Sequence, residues 1–162
     1  MEAVVINIDG IAVHIDGEGP DTLLFLHGWP DTYRLWDSMV AALRPHYRCV
    51  RFTLPGFDMA RPSRPTSLEQ MSALIARIVE AVHPGRRVTL VLHDWGCAFG
   101  YEFAAQHPGK VHQVLGQQAG GGDSGGRHRL ASVAGLSRPA PGLRRPPAPA
   151  GLRPREIERA HV

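Results

Sequence analysis

The chain has 162 residues, of which 43% are hydrophobic and 20% charged, enough for one domain with a real core. Its net charge of +3 is unevenly divided: residues 1–117 hold 10 Lys and Arg against 12 Asp and Glu, whereas residues 118–162 hold 8 Arg against 3 acids. The basic excess therefore belongs to the C-terminal stretch and gives no reason to expect a nucleic-acid partner. The opening MEAVVINIDG carries two acids and no basic residue, so it does not read as a signal peptide. No apolar run approaches the roughly 18 residues a membrane helix needs. A soluble, cytoplasmic protein without a membrane partner is expected. Cys49 and Cys97 lie too far apart for a metal motif or a disulfide framework. The scattered histidines share no metal-ligand spacing, and neither metal nor cofactor is expected.

In chain order, residues 3–8 and 11–15 are β-branched runs joined at Asp9-Gly10, a two-residue hairpin signal. Residues 22–26 form a continuous apolar run that ends at His27-Gly28. Leu35, Trp36, Met39, Val40 and Leu43 repeat at helical spacing and stop before Pro45. Residues 47–54 predict another strand, closed by Pro55-Gly56. Ser67, followed by Glu69 and Gln70, opens a capping pattern, and Leu68, Met71, Leu74, Ile75, Ile78 and Val79 make one helical stripe. Residues 87–93 predict a third largely apolar strand, 96–107 a helix ending before Pro108, and 111–115 a further strand. Apolar strands alternating with amphipathic helices imply a mostly parallel sheet covered on both faces, with the hairpin adding antiparallel strands at one edge.

This pattern ends near residue 116, which divides the chain into 1–116 and 117–162. From residue 118 on there is no Phe, Trp or Tyr, and Gly, Ala, Arg and Pro make up 29 of the 45 residues. Such a composition does not bury enough apolar surface to offset chain entropy, and disorder is expected. An abrupt switch to these four residue types inside a recognisable fold also matches a frameshift in a GC-rich gene.

Three segments carry chemistry. Asp94 stands between an apolar strand and a helix, in Val91-Leu92-His93-Asp94-Trp95-Gly96. A carboxylate there meets a concentration of backbone N–H groups, and Gly96 with the small residues behind it suits a sharp strand–turn–helix. A plain helix N-cap is the other reading of Asp94. His27-Gly28-Trp29-Pro30 follows an earlier parallel strand, which puts both loops at the carboxyl ends of strands. The backbone N–H groups of Trp29 and Trp95 then converge on one oxygen, an oxyanion hole. Gly28 permits close backbone approach, His27 shapes the loop instead of exchanging protons, and Pro30 starts a turn. The third segment is Leu54-Pro55-Gly56-Phe57-Asp58.

Taken together, HGWPDTYRLW, LPGF and VLHDWGCAFGYEFAAQHPGKV resemble the epoxide-hydrolase and haloalkane-dehalogenase branch of the α/β-hydrolases over residues 1–116. The resemblance implies the α/β-hydrolase fold, Asp94 as nucleophile, Trp29 and Trp95 as oxyanion-hole donors, and His93 and Gly96 as parts of the elbow. It implies a small-molecule substrate, first an epoxide and second an alkyl halide. It also implies a cap domain, an acid and a histidine base C-terminal to residue 116, where His128 and His161 are the histidines present. In that sense the fold is expected to be incomplete and turnover by this chain doubtful, with a non-catalytic fragment as the alternative. Two departures stand out. Leu92 occupies a position that is usually small, which crowds the turn, and Gly56-Phe57-Asp58-Met59 lacks a second glycine. Translating the other reading frames beyond codon 116 tests the frameshift: one of them should encode a cap, an acid and a histidine, and frames without them would remove that explanation.

Overall fold

A computed structural model of the chain describes residues 3–59 and 65–117; the stretch 118–162, with His128 and His161, lies outside the described residues. Among the described residues six strands form one sheet in the order β1-β2-β4-β3-β5-β6. They are β1 (Val4–Ile8), β2 (Ile11–Asp16), β3 (Thr22–Leu26), β4 (Arg48–Phe52), β5 (Val88–His93) and β6 (Val111–Gln117). β1 and β2 pair antiparallel through the tight turn at Asp9-Gly10, and β2 runs antiparallel to β4. From β4 through β3 and β5 to β6 every pairing is parallel. This is the mostly parallel sheet with an N-terminal antiparallel hairpin that the sequence pattern implies.

The helices are α1 (Asp37–Leu43), α2 (Leu68–Val82) and α3 (Trp95–Gln106), with a 3-10 turn at Tyr33–Trp36 leading into α1. The predicted helix at 35–43 is therefore split: Thr32 caps the 3-10 turn through its side chain, and regular helix begins two residues later than the apolar spacing suggests. At α2 the Ser67 hydroxyl accepts from the Gln70 backbone N–H at 3.1 Å, and the Gln70 side chain accepts from the Ser67 N–H at 3.0 Å. This closes the capping box.

Strand alternation decides which helix covers which face. Leu24, Leu26, Leu90 and Leu92 point to one side, where they pack with Met71, Ile75, Ile78 and Phe103 of α2 and α3. Leu23, Phe25 and Val91 point to the other, against Trp36, Met39, Val40 and Leu43 around α1. β3 is buried along its whole length because both faces are covered. Each such side chain contributes roughly 1.5–3 kcal/mol by leaving water. Arg51 is the exception inside this apolar frame. It is almost buried on β4, and pairs with Asp16 of β2 at 3.4 Å and with Asp37 at the start of α1. Two carboxylates satisfy a charge that burial alone would make costly.

The crowding expected at Leu92 does not arise. Leu92 packs beneath Gly100 of α3, where a Cβ would strike both Leu92 δ carbons. The missing side chain on the helix makes room for the extra one on the strand. Gly100→Val is expected to destabilise the chain by about 1–3 kcal/mol, the usual cost of overpacking. Leu92→Ala in the same chain should recover part of that loss because the two sites couple. Urea midpoints of the single and double variants check this; additive losses would count against the pairing.

Candidate active site

β3 and β5 are hydrogen-bonded neighbours, and Leu26 pairs with Leu92, so the loops that leave their carboxyl ends emerge side by side. Asp94 lies between β5 and α3 with φ 50° and ψ −119°. That left-handed φ is uncommon for a residue with a side chain, and it turns the chain from strand to helix within one residue. The Cys97 N–H closes the turn on the Asp94 carbonyl at 2.9 Å.

Two glycines let the loops touch. A Cβ on Gly96 would run into the Leu26 carbonyl and come within 2.7 Å of the His27 carbonyl oxygen. A Cβ on Gly28 would collide with the Asp94 side chain, lying 2.8 Å from its Cγ. The carboxylate therefore rests on the bare α-carbon of Gly28. From this position Asp94 Oδ2 accepts a hydrogen bond from the Trp29 backbone N–H at 3.0 Å. The Asp94 side chain thus reaches across to another strand's loop, whereas the plain N-cap reading needs a bond to its own helix, and no such side-chain cap is formed.

His27 is fully buried. Its Nε2 accepts the Leu54 backbone N–H at 2.9 Å, and its Nδ1 lies 2.9 Å from the Gly28 carbonyl oxygen. Burial is the main reason its pKa is held below the ordinary histidine value. The Trp29-Pro30 peptide bond is cis. The Asp31 N–H returns to the Gly28 carbonyl at 3.0 Å, which closes the turn that Pro30 starts. His93 lies on the α1 side of the sheet, with its ring edge-on to Trp36 at 6.5 Å. The indoles of Trp29 and Trp95 are each about half exposed.

The sequence reading missed the rings that join these parts. Phe57 sits edge-on to His27 at 5.8 Å, to Trp29 at 6.1 Å and to Phe99 at 6.1 Å, and Phe99 in turn meets Trp95 at 6.4 Å. Phe57 follows Pro55-Gly56, and that turn was the available signal; Phe99 carried none, being one apolar residue in an apolar helix. Cys97 is buried, as a small apolar residue would be. A cavity of about 500 Å³ opens elsewhere, between the β1–β2 hairpin and the loop after β4, with Asp9, His14, Tyr33, Thr53 and Asp58 in its lining. Asp94 does not line it, so the assignment of the site rests on the strand-end geometry and not on the cavity. Among the described residues no helix is long and apolar enough to cross a membrane.

A family model described as alpha/beta hydrolase fold matches residues 21–131, and the chain belongs to that family. It is 31% identical over 166 residues to the probable oxidoreductase EphD of Mycobacterium tuberculosis, an alignment covering 99% of this chain and 26% of that protein. It is 24% identical over 116 residues to epoxide hydrolase 1 of Caenorhabditis elegans, covering 68% of this chain and 28% of that one. Among solved structures it resembles the epoxide hydrolase VrEH1 from Vigna radiata, with a TM-score of 0.61 and 29% identity over 71% of this chain and 39% of that one. The chain thus spans about a quarter of the length of the curated relatives it matches.

Three histidines, His14, His27 and His83, are held below the ordinary value near 6.5, in each case first by burial. Between the lowered values and 6.5 the unfolded chain binds more protons than the folded one, so stability rises with pH across that window. Their contribution is complete above about pH 6.5 and is lost as pH falls through the lowered values. Urea midpoints should therefore drop between about pH 7 and pH 5. An unchanged midpoint would mean that these rings are not held neutral.

Proposed function

We propose that the chain carries the nucleophile half of an epoxide-hydrolase site, with Asp94 as the attacking group. The observation that carries this reading is the hydrogen bond from Trp29 N–H to Asp94 Oδ2 at 3.0 Å, made by a carboxylate held at a strand-to-helix turn with φ 50°. One carboxylate oxygen is then oriented by a backbone donor while the other is available to a saturated carbon. In the first step a carboxylate oxygen forms a bond to an epoxide carbon, the ring C–O bond breaks, and the departing oxygen takes a proton from solvent. The product is an alkyl ester of Asp94. In the second step water adds to the ester carbonyl and gives its proton to solvent, and the negative charge develops on the oxygen held by Trp29 N–H, with Trp95 N–H assigned by this reading as the second donor. Collapse then breaks the ester C–O bond, releases the diol and restores the Asp94 carboxylate.

A serine in the same place would leave an ether that water does not cleave, which is why a carboxylate at this turn favours displacement at an sp³ carbon over ordinary acyl transfer. Alkyl halides suit the same first step and are the second substrate class. The oxidoreductase name of the mycobacterial relative is not carried over, because the epoxide reading rests on Asp94.

The second step needs a base. The two ring nitrogens of His27 are engaged with Leu54 and Gly28, and the His93 ring packs on the α1 side against Trp36. His128 and His161 lie outside the described residues. General-base assistance is worth about 10²–10⁴-fold, so the ester on this chain is expected to persist. Intact-mass spectrometry after incubation with a reactive epoxide should show a single slowly formed adduct that is lost in Asp94→Asn. Steady multiple turnover abolished by Asp94→Asn would mean that a base is present after all. Equal labelling of Asp94→Asn would remove Asp94 from the mechanism.

A further inference from the structure

Two loops and a turn meet at the Asp94 carboxylate: 27–31 after β3, 54–57 after β4, and the turn at Asp94 between β5 and α3. One buried side chain, His27, joins the first two. Its hydrogen bonds leave no choice of protonation state. The Leu54 N–H can only donate, so Nε2 at 2.9 Å must be the unprotonated acceptor. The Gly28 carbonyl can only accept, so Nδ1 at 2.9 Å must carry the hydrogen. That carbonyl also receives the Asp31 N–H at 3.0 Å, and the residue between these anchors, Trp29, gives its N–H to Asp94. The Leu54 carbonyl accepts the Phe57 N–H at 3.0 Å, and this turn returns the Phe57 ring to the faces of His27 and Trp29.

We propose that His27 is a positioning residue for the nucleophile: as the neutral, Nδ1-protonated tautomer it bridges the loops after β3 and β4 and so holds the Trp29 N–H on Asp94 Oδ2. The proposal rests on the reading of Asp94 as nucleophile and adds a protonation requirement to it. A charged His27 turns Nε2 into a donor that faces the donor of Leu54. The bridge opens, and the loop that carries Trp29 loses its tie to β4. Burial opposes that charged form most, and so does His93 at the end of β5; the hydrogen bond to the Gly28 carbonyl and Asp31 on the loop favour it, while Phe57 supplies an apolar edge.

The full chain, labelled with ¹⁵N, gives a test that needs no substrate. The ring nitrogens of His27 should show the Nδ1–H neutral pattern at neutral pH. On acidification, protonation of His27 should coincide with lost hydrogen-exchange protection at Leu54 and Trp29, while the β3 and β5 amides stay protected. Alkylation of Asp94 by a reactive epoxide should slow over the same range. In His27→Gln, which cannot bridge both partners, alkylation should be slower by up to about 10²-fold at neutral pH, the scale of a misplacement near 1 Å. The step tied to His27 should be gone from its pH profile. If the variant does not fold, the ring and amide titrations of the native chain decide alone. An Nε2–H tautomer, Trp29 protection that survives protonation of His27, or a folded His27→Gln that alkylates at the native rate would each overturn the proposal. Absence of any adduct in the native chain would count against Asp94 as nucleophile, and the ring and amide measurements would still decide the bridge.

Discussion

The site depends on two backbone segments lying closer together than side chains ordinarily allow. Residues 26–29 and 94–97 touch because Gly28 and Gly96 carry no Cβ, and each glycine faces a group that would occupy the place of one. Gly96 sets how near α3 begins to the end of β3. Gly28 sets where the Asp94 carboxylate rests. With those two contacts in place, a backbone N–H from one loop meets the carboxylate oxygen of Asp94 at 3.0 Å.

The sheet is what allows this contact. β3 and β5 are parallel neighbours, so their loops leave from the same edge and at the same height. Burial on both faces fixes the register: a slip by one residue on β5 would send Leu90 and Leu92 toward α1 and Val91 toward α2 and α3. The register of an apolar core thus locates a polar site. The Leu92–Gly100 pair carries the same logic to the helix, since the seat of α3 on β5 determines the direction in which Asp94 leaves the turn.

Two polar residues inside this frame tie separate segments together. Arg51 is held between Asp16 and Asp37. His27 engages both ring nitrogens with backbone partners, Leu54 N–H and the Gly28 carbonyl, and so links the loops after β3 and β4. The exposed surfaces of Trp29 and Trp95 lie to either side of the carboxylate in sequence and are linked through Phe57 and Phe99, giving the site an apolar aromatic surround.

The sequence by itself determined the alternation of elements, and with it the sheet. β-Branched runs, continuous apolar strands, the Ser67 capping box and the stops at prolines are local signals, and local physics decides them. It also marked Asp94 and the His27-Gly28-Trp29-Pro30 turn, because the two fall together at the carboxyl ends of strands, although Asp94 taken alone reads as a helix N-cap. The split of the helix before α1 was less legible: the side-chain cap of Thr32 competes with a hydrophobic spacing that continues unbroken through Leu35 and Trp36. Only the tertiary structure decided how these pieces meet. The apparent misfit of Leu92 resolves at Gly100, which is near it only once α3 folds back on β5. The tautomer of His27 follows from the N–H of Leu54, a residue 27 positions away whose backbone direction no sequence pattern records. Phe57 and Phe99 become parts of a site because β4 and α3 are brought together. These are pairings between distant segments, and such pairings exist only after the sheet has set its strand order and the two glycines have let the loops close.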